Sequence, residues 1–230
     1  MAETTQAVAA GEKPLVSLVS TSKQVVRAHR ASSLLMLAPG VLGVLVAPFW
    51  VQRFGVTVLD LGLFLAMYWL TLGVGLSVGF HRHFTHGSFQ TSAPLRWLLA
   101  VLGSMGAQGS LTYWVAVHRR HHELSDVEGD PHSPNLAGRG IAGTLRGLWH
   151  GHYGWSLSYG LPNAMHYCPD LVRVPYLAAV NRNYRKWVLA GLLLPGLVGG
   201  LVTWTWTGAF GGLLWAGSCG SSCPRTRPGP

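Results

Sequence analysis

Three long apolar runs constrain the fold of this chain more than any other feature. They cover about 34–51, 58–80 and 187–206, and each is close to the ~20 apolar residues that an α-helix needs to cross a bilayer. Only 11% of the residues are charged, against roughly 25% in an average soluble protein. The sequence therefore predicts an all-α integral membrane protein.

The order of the runs predicts the topology. The first two, joined by a short turn, form a transmembrane helical hairpin that returns the chain to its starting side. A large histidine-rich helical region follows, and then a third transmembrane helix. A fourth begins at 208–217, but about ten apolar residues are too few to cross. We expect a flexible tail over 1–33, an incomplete membrane domain over 34–217 and an irregular tail over 218–230.

The irregular tail has two explanations. Its Ser, Cys, Gly, Pro and Arg residues are typical of a GC-rich gene that is read out of frame, which suggests a frameshift or truncation near Gly217. The alternative is an authentic disordered tail. Cys219 and Cys223 are a weak zinc signal, since no partner ligands lie nearby. Sequencing the coding DNA across the Gly217 codon separates the two explanations.

Two histidine clusters follow apolar runs. The second holds His118, His121 and His122, and a rotation of ~100° per residue places these three on one helix face. The first holds His81 and His86, five residues apart. On a straight α-helix a rotation of ~500° makes these two rings diverge. The pair then serves two neighbouring metals, or one metal at a frayed helix end.

The segment 95–117 between the clusters is apolar enough to resemble another span. If it crossed the membrane, the clusters would lie on opposite faces and could not form a joint site. Its small residues and the flanking histidines favour a helix at the membrane interface that does not cross.

Other residues have a functional and a plain interpretation. Arg119 and Arg120 could bind the phosphates of a coenzyme A thioester or lipid headgroups. Trp114 could line an acyl tunnel or anchor its helix. His152 is a candidate extra ligand. The remaining histidines more often bond to loops or lie at the interface: His83, His132, His150 and His166.

Charge and cysteine content narrow the functional class. The formal net charge is +9, but no basic helix, zinc finger or RNA-binding signature accompanies it, which excludes nucleic acid as the expected partner. Basic residues beside spans fit the positive-inside rule, so the histidine clusters are predicted on the cytosolic face. Three cysteines provide no disulfide framework.

The histidine spacings H-x4-H and H-x2-H-H, together with Asp130-Pro131-His132 and His152-Tyr153-Gly154-Trp155, resemble the membrane fatty-acid desaturases, especially the acyl-CoA delta-9 type. The resemblance covers about 34–217. It implies two irons held by histidine boxes, with His81 and His86 in the first box and His118, His121 and His122 in the second. It also implies a fatty acyl-CoA or acyl-lipid substrate, dioxygen, and an external electron donor of the ferredoxin, rubredoxin or cytochrome type.

A third box with two adjacent histidines is also implied, and it is absent from these 230 residues. The resemblance therefore predicts a desaturase of lipid metabolism whose activity is impaired in this chain. Two alternatives stay open: a related membrane di-iron hydroxylase, and a non-catalytic membrane metal-binding remnant that holds metal without consuming oxygen.

Overall fold

The computed structural model describes residues 19–20, 22–131, 133–152, 154–157 and 161–219. Most of them are helical, and turns and loops join the helices. The only β-structure among the described residues is a pairing of two short antiparallel strands, β1 (Val19–Ser20) and β2 (Leu161–Pro162). The predicted all-α class is confirmed.

In the described part of the chain, three helical segments are long and apolar enough to span a membrane, as predicted. They are α1 (Lys23–Phe54), α2 (Val58–Tyr68) with the first π-helix (Trp69–Thr85) that continues it, and α9 (Tyr184–Thr203). Gly55, with φ of 75°, ends α1 in a left-handed conformation that favours glycine. A capping box between Thr57 and Asp60 then starts α2. These caps fix the tight turn of the predicted hairpin.

The first helix starts earlier than its apolar run. It begins at Lys23, whereas the run begins at about Leu34, so the intervening polar residues are helical. Hydrophobicity located only the part of the helix that lies in the hydrocarbon core. Outside the core a helix can continue with polar residues. Within this extension, Arg30 donates a hydrogen bond of 3.1 Å to the carbonyl of Leu157, and the His29 ring lies 4.5 Å from the Tyr113 ring. Residues 1–18 of the predicted tail lie outside the described residues.

The segment 95–117 is two helices rather than one. Helix α3 (Ala93–Met105) and helix α4 (Leu111–Glu123) are separated by a turn in which Ala107 and Gly109 have φ of 56° and 111°. Helix α3 packs antiparallel on the first π-helix. Gly75 faces the backbone of Gly103, and a Cβ placed on Gly75 would collide with it. Helix α4 then returns to the histidine end, so both clusters lie on one side, as the non-crossing interpretation requires.

The fourth apolar segment forms helix α10 (Trp206–Gly212) and the second π-helix (Leu213–Cys219). It runs back along α9, where Gly199 meets Gly208 and Leu192 meets Gly217 in close backbone contacts. Asp60 lies against Gly211, so this segment also closes on the start of α2. Residues 220–230 of the predicted irregular tail lie outside the described residues.

The core lies between the first π-helix, α3, α4 and the short helices that precede α9. Phe80, Leu111, Val115 and Leu177 are completely buried there. The remaining helical elements are two 3-10 turns, Asn135–Ala137 and Gly154–Leu157, and helices α5 (Gly140–His152), α6 (Ala164–Tyr167), α7 (Pro169–Val172) and α8 (Pro175–Arg182).

Candidate metal centre

Four of the five box histidines meet where the first π-helix and α4 end. His81, His86, His118 and His122 each offer a ring nitrogen, and these four atoms all lie within 4.8 Å of one another. His81 and His118 are partly buried, whereas His86 and His122 are exposed. The group joins both clusters, so the four residues can hold a metal together.

The π-helix explains how the first cluster contributes two ligands. Its hydrogen bonds join residues five apart, and the His86 amide donates to the His81 carbonyl at 3.2 Å. Residues five apart therefore lie about one turn apart, and the two Nε2 atoms are separated by 3.3 Å. The rings of His81 and His86 do not diverge, because the helix that carries them is not an α-helix.

The distances within the group suit coordination. The Nε2 atoms of His118 and His122 are 3.2 Å apart, similar to the 3.3 Å between His81 and His86. Two imidazole nitrogens that each lie ~2.0–2.1 Å from one tetrahedral ion are separated by roughly 3.3–3.4 Å. An all-imidazole group of this size fits a transition metal, although imidazole alone does not select which one.

His121 lies apart from the four and has its own carboxylate partner. Its ring centroid is 5.9 Å from that of His118 and 5.5 Å from that of His122. Its Nδ1 is 2.9 Å from both carboxylate oxygens of Asp130. His118, His121 and His122 span ~100° of the helix surface, and His121 stands at one edge of that face, ~60° from His118. A carboxylate on Nδ1 is the usual arrangement behind a histidine that binds metal through Nε2.

A compact loop holds Asp130 in place. Its side chain is fully buried and also accepts the backbone N–H of Asp126 at 2.9 Å. Asp126 itself has φ of 59° and accepts the Ser133 hydroxyl at 2.6 Å. The sequence contained the Asp130-Pro131-His132 motif but gave no sign that Asp130 supports His121. No periodicity could reveal it, because nine residues separate the pair.

Trp114 lies beneath the histidine group. It stacks on His118, one turn away, with ring centroids 4.8 Å apart and planes at 27°. It also lies edge-on to His81 at 6.4 Å and contacts the buried Phe80 at 5.8 Å. The indole therefore helps to orient two candidate ligands. This role differs from both predicted ones, which were to line an acyl tunnel or to anchor the helix.

Arg119 joins three segments around the site. It donates to Asp170 in a two-bond fork of 2.7 and 3.0 Å, to the Tyr167 carbonyl at 2.8 Å, and to the Phe84 and Thr85 carbonyls at 2.7 and 3.4 Å. The hydrogen bond with Asp170 raises the pKa of the guanidinium, against the effect of burial. Burial favours a higher pKa for Asp170, but the Arg119 hydrogen bonds and charge outweigh it, and the pKa falls.

These bonds use all five guanidinium N–H groups of Arg119. A phosphate could bind only by displacing one of them, so the geometry favours a supporting role. The neighbouring Arg120 is partly buried, and one of its terminal nitrogens lies near Gly129 of the Asp130 loop. Substrate binding by Arg119, Arg120 and Trp114 stays a prediction.

The other candidate residues lie elsewhere. His83 turns away, with Nδ1 3.0 Å from the Phe89 carbonyl, and His150 contacts the Pro131 carbonyl at 3.2 Å. His166 lies on α6 against Tyr167. His132 and the side chain of His152 lie outside the described part of the chain. Burial raises the pKa of the Cys168 thiol to about 12, so this group is no ready thiolate ligand.

The fold and site define an all-α protein with helices long and apolar enough to span a membrane and with a histidine group, where the first π-helix and α4 end, that could hold a metal. The fatty acid desaturase family model matches residues 58–219, which include both histidine clusters and the third and fourth apolar segments. The chain belongs to the fatty acid desaturase family.

Named relatives agree with this assignment. A hex-5-enoyl-[acyl-carrier protein] acetylenase of Moorena producens is 48% identical over 178 residues, which cover 76% of this chain and 55% of the relative. An sn-1 stearoyl-lipid 9-desaturase of Anabaena variabilis is 34% identical over 69% of this chain and 55% of the relative. Acyl-CoA desaturase 1 of Saccharomyces cerevisiae is 29% identical over 69% of this chain and 29% of the relative. The chain thus spans about half the length of the first two.

Proposed function

We propose that this chain belongs to an enzyme that desaturates fatty acyl chains with dioxygen at a histidine-ligated iron centre. The observation that carries the proposal is the convergence of His81, His86, His118 and His122 within 4.8 Å at the end of a membrane span. An acyl chain dissolved in the bilayer could reach such a position without crossing water. Membership of the desaturase family supports the reaction class.

The overall chemistry balances without further reagents. Two hydrogens leave adjacent carbons of the acyl chain, and dioxygen is reduced to two waters with two electrons from a donor protein and two protons. Iron, when bound, supplies the oxygen chemistry, as cofactors generally do. The residues supply position: the Asp130 carboxylate orients His121, and Trp114 orients His118 and His81. The five box histidines are the proposed ligands, with His152 as a further candidate.

The acyl carrier is open to three alternatives. The relatives named above include enzymes of acyl-carrier-protein, lipid and CoA thioester substrates.

The 48% identity to an acetylenase favours a second candidate product, an acetylenic chain formed from an alkene by removal of two more hydrogens. A delta-9 acyl-CoA reaction is the other candidate. The cytosolic location of the histidine end and the nature of the donor are part of this proposal.

Product analysis tests the proposal directly. Membranes that contain the chain would be supplied with dioxygen, a reduced ferredoxin or cytochrome system, and hexenoyl or stearoyl substrates on each carrier. Mass spectrometry should then detect a loss of two hydrogens per chain. An alcohol product would favour the hydroxylase alternative instead. Bound metal without any oxygen-dependent product would favour the non-catalytic alternative. Iron content and turnover, measured in the same preparation, test whether the activity is impaired as predicted.

A further inference from the structure

Helix α5 presents an exposed apolar surface that the metal centre does not use. Ile141 and Leu145 are 83% and 62% exposed, and they lie ~40° apart on the helix. Leu148 and Trp149, 46% and 62% exposed, continue the same stripe. This spacing of three and four residues is typical of an amphipathic helix that lies against an apolar medium.

The opposite face of α5 holds small residues that pack on protein. Gly143 and Gly147 are buried, and a Cβ on either would collide with the carbonyl of Gly138 or of Pro134. His150, on the same side, contacts the Pro131 carbonyl. This face therefore lies on the loop that carries Asp130, which leaves the apolar stripe turned outward.

The position of α5 along the membrane normal follows from its attachment. The 3-10 turn Gly154–Leu157 begins two positions after the last residue of α5, and its Leu157 carbonyl accepts a hydrogen bond from Arg30. Arg30 precedes the apolar run of α1, which begins at about Leu34, by one helical turn. The end of α5 is thus held at the height where α1 leaves the hydrocarbon.

The charged residues around α5 indicate what the apolar stripe faces. Helix α5 has no acidic residue, and Arg139 and Arg146 at its side are exposed. Basic residues beside an apolar stripe are typical of helices that lie in the headgroup region of anionic membranes. We propose that α5 is an interfacial helix whose Ile141–Leu145 stripe inserts into the leaflet at the histidine end.

Spin-label accessibility in the full chain tests this proposal. Single cysteines would replace Ile141 and Leu145 on the stripe, and Thr144 and Arg146 as matched controls on either side of it. Cys219 and Cys223 would be replaced by serine, whereas Cys168 is fully buried and can stay. The labelled protein would be placed in nanodiscs of phosphatidylcholine and phosphatidylglycerol, with molecular oxygen as the apolar relaxant and a water-soluble nickel chelate as the polar one.

We expect labels at Ile141 and Leu145 to be relaxed severalfold more by oxygen than by the nickel chelate, and labels at Thr144 and Arg146 to show the reverse. Equal access of the nickel chelate to all four sites would place the stripe in water and overturn the proposal. Protection of Ile141 and Leu145 from both reagents would overturn it too, because it would mean that protein, from a second copy or a partner, covers the stripe. Neither result depends on the reaction that the enzyme catalyses.

Discussion

Arg119 offers the sharpest test of how the two histidine clusters are held together. It leaves α4 between the ligand candidates His118 and His121, and it donates to carbonyls of the first π-helix just before His86. Replacing Arg119 by alanine removes both the ion pair with Asp170 and the backbone bonds. The ion pair is more exposed to solvent than the backbone hydrogen bonds, so their contributions to the free energy of unfolding can be estimated separately.

The backbone bonds should dominate. Hydrogen bonds from a charged group are worth roughly 1.5–3 kcal/mol each, and the two short ones, to Phe84 and Tyr167, come from a side chain that is only 26% exposed. Taken at the low end, they contribute about 3 kcal/mol. The Asp170 side chain is 53% exposed, so solvent screening limits the ion pair to about 1 kcal/mol or less.

These estimates convert into melting temperatures. At ~2–4 °C per kcal/mol for a chain of this size, Arg119→Ala should lower the Tm by roughly 8–16 °C, and Asp170→Asn by no more than about 4 °C. Arg119→Lys keeps the charge, but its donors lie on one nitrogen and cannot reproduce the planar fork that reaches Phe84, Tyr167 and Asp170, so it should resemble alanine more than the wild type. Tryptophan fluorescence during heating in detergent measures the Tm, and mass spectrometry of metals measures iron per chain. A wild-type Tm and iron content in Arg119→Lys would refute the argument, as would equal losses in Arg119→Ala and Asp170→Asn.

Three further predictions concern the site and its support. His86→Ala should abolish most metal binding, whereas His83→Ala should retain it because that ring bonds to a loop carbonyl; equal metal content in the two variants would contradict the assigned group. Asp130→Asn should weaken metal affinity ~10–100-fold, the usual cost of losing the partner of a ligating histidine, as measured by competition with a chelator. Gly75→Ala should cost about 1–3 kcal/mol through overpacking on α3, whereas Gly62→Ala, with open space around it, should be neutral or stabilising in the same melting assay.

Hydrophobicity predicted the spans well because the bilayer imposes a length that apolar runs must match. Hydrophobicity did not predict the structure of segments on which the bilayer imposes no such length. The polar start of α1 is helical although nothing in its hydropathy indicates it. The break between α3 and α4 depends on backbone conformations at Ala107 and Gly109, and a continuous apolar run cannot report these.

The histidine pattern located a group that converges in the fold, although its members remain predicted ligands. His118 and His122, four residues apart, meet as α-helical periodicity requires. The partners that orient the site, Asp130 and Asp170, lie on loops and short helices far from periodic positions, so only the folded chain brings them to His121 and Arg119.

The H-x4-H spacing shows why the type of helix decides what a motif can do. On an α-helix, His81 and His86 would point about 140° apart, which would split them between two metals. The π-helix removes this conflict by joining residues five apart, and it extends over 17 residues where single-turn bulges are the norm. Gly75 and Gly79 let this wider helix approach α3 at backbone distance. If a single residue between His81 and His86 were deleted, the α-helical spacing of four would be restored. Such a variant should keep a histidine pair but shift His86 relative to His118, and so lose metal while the spans stay folded.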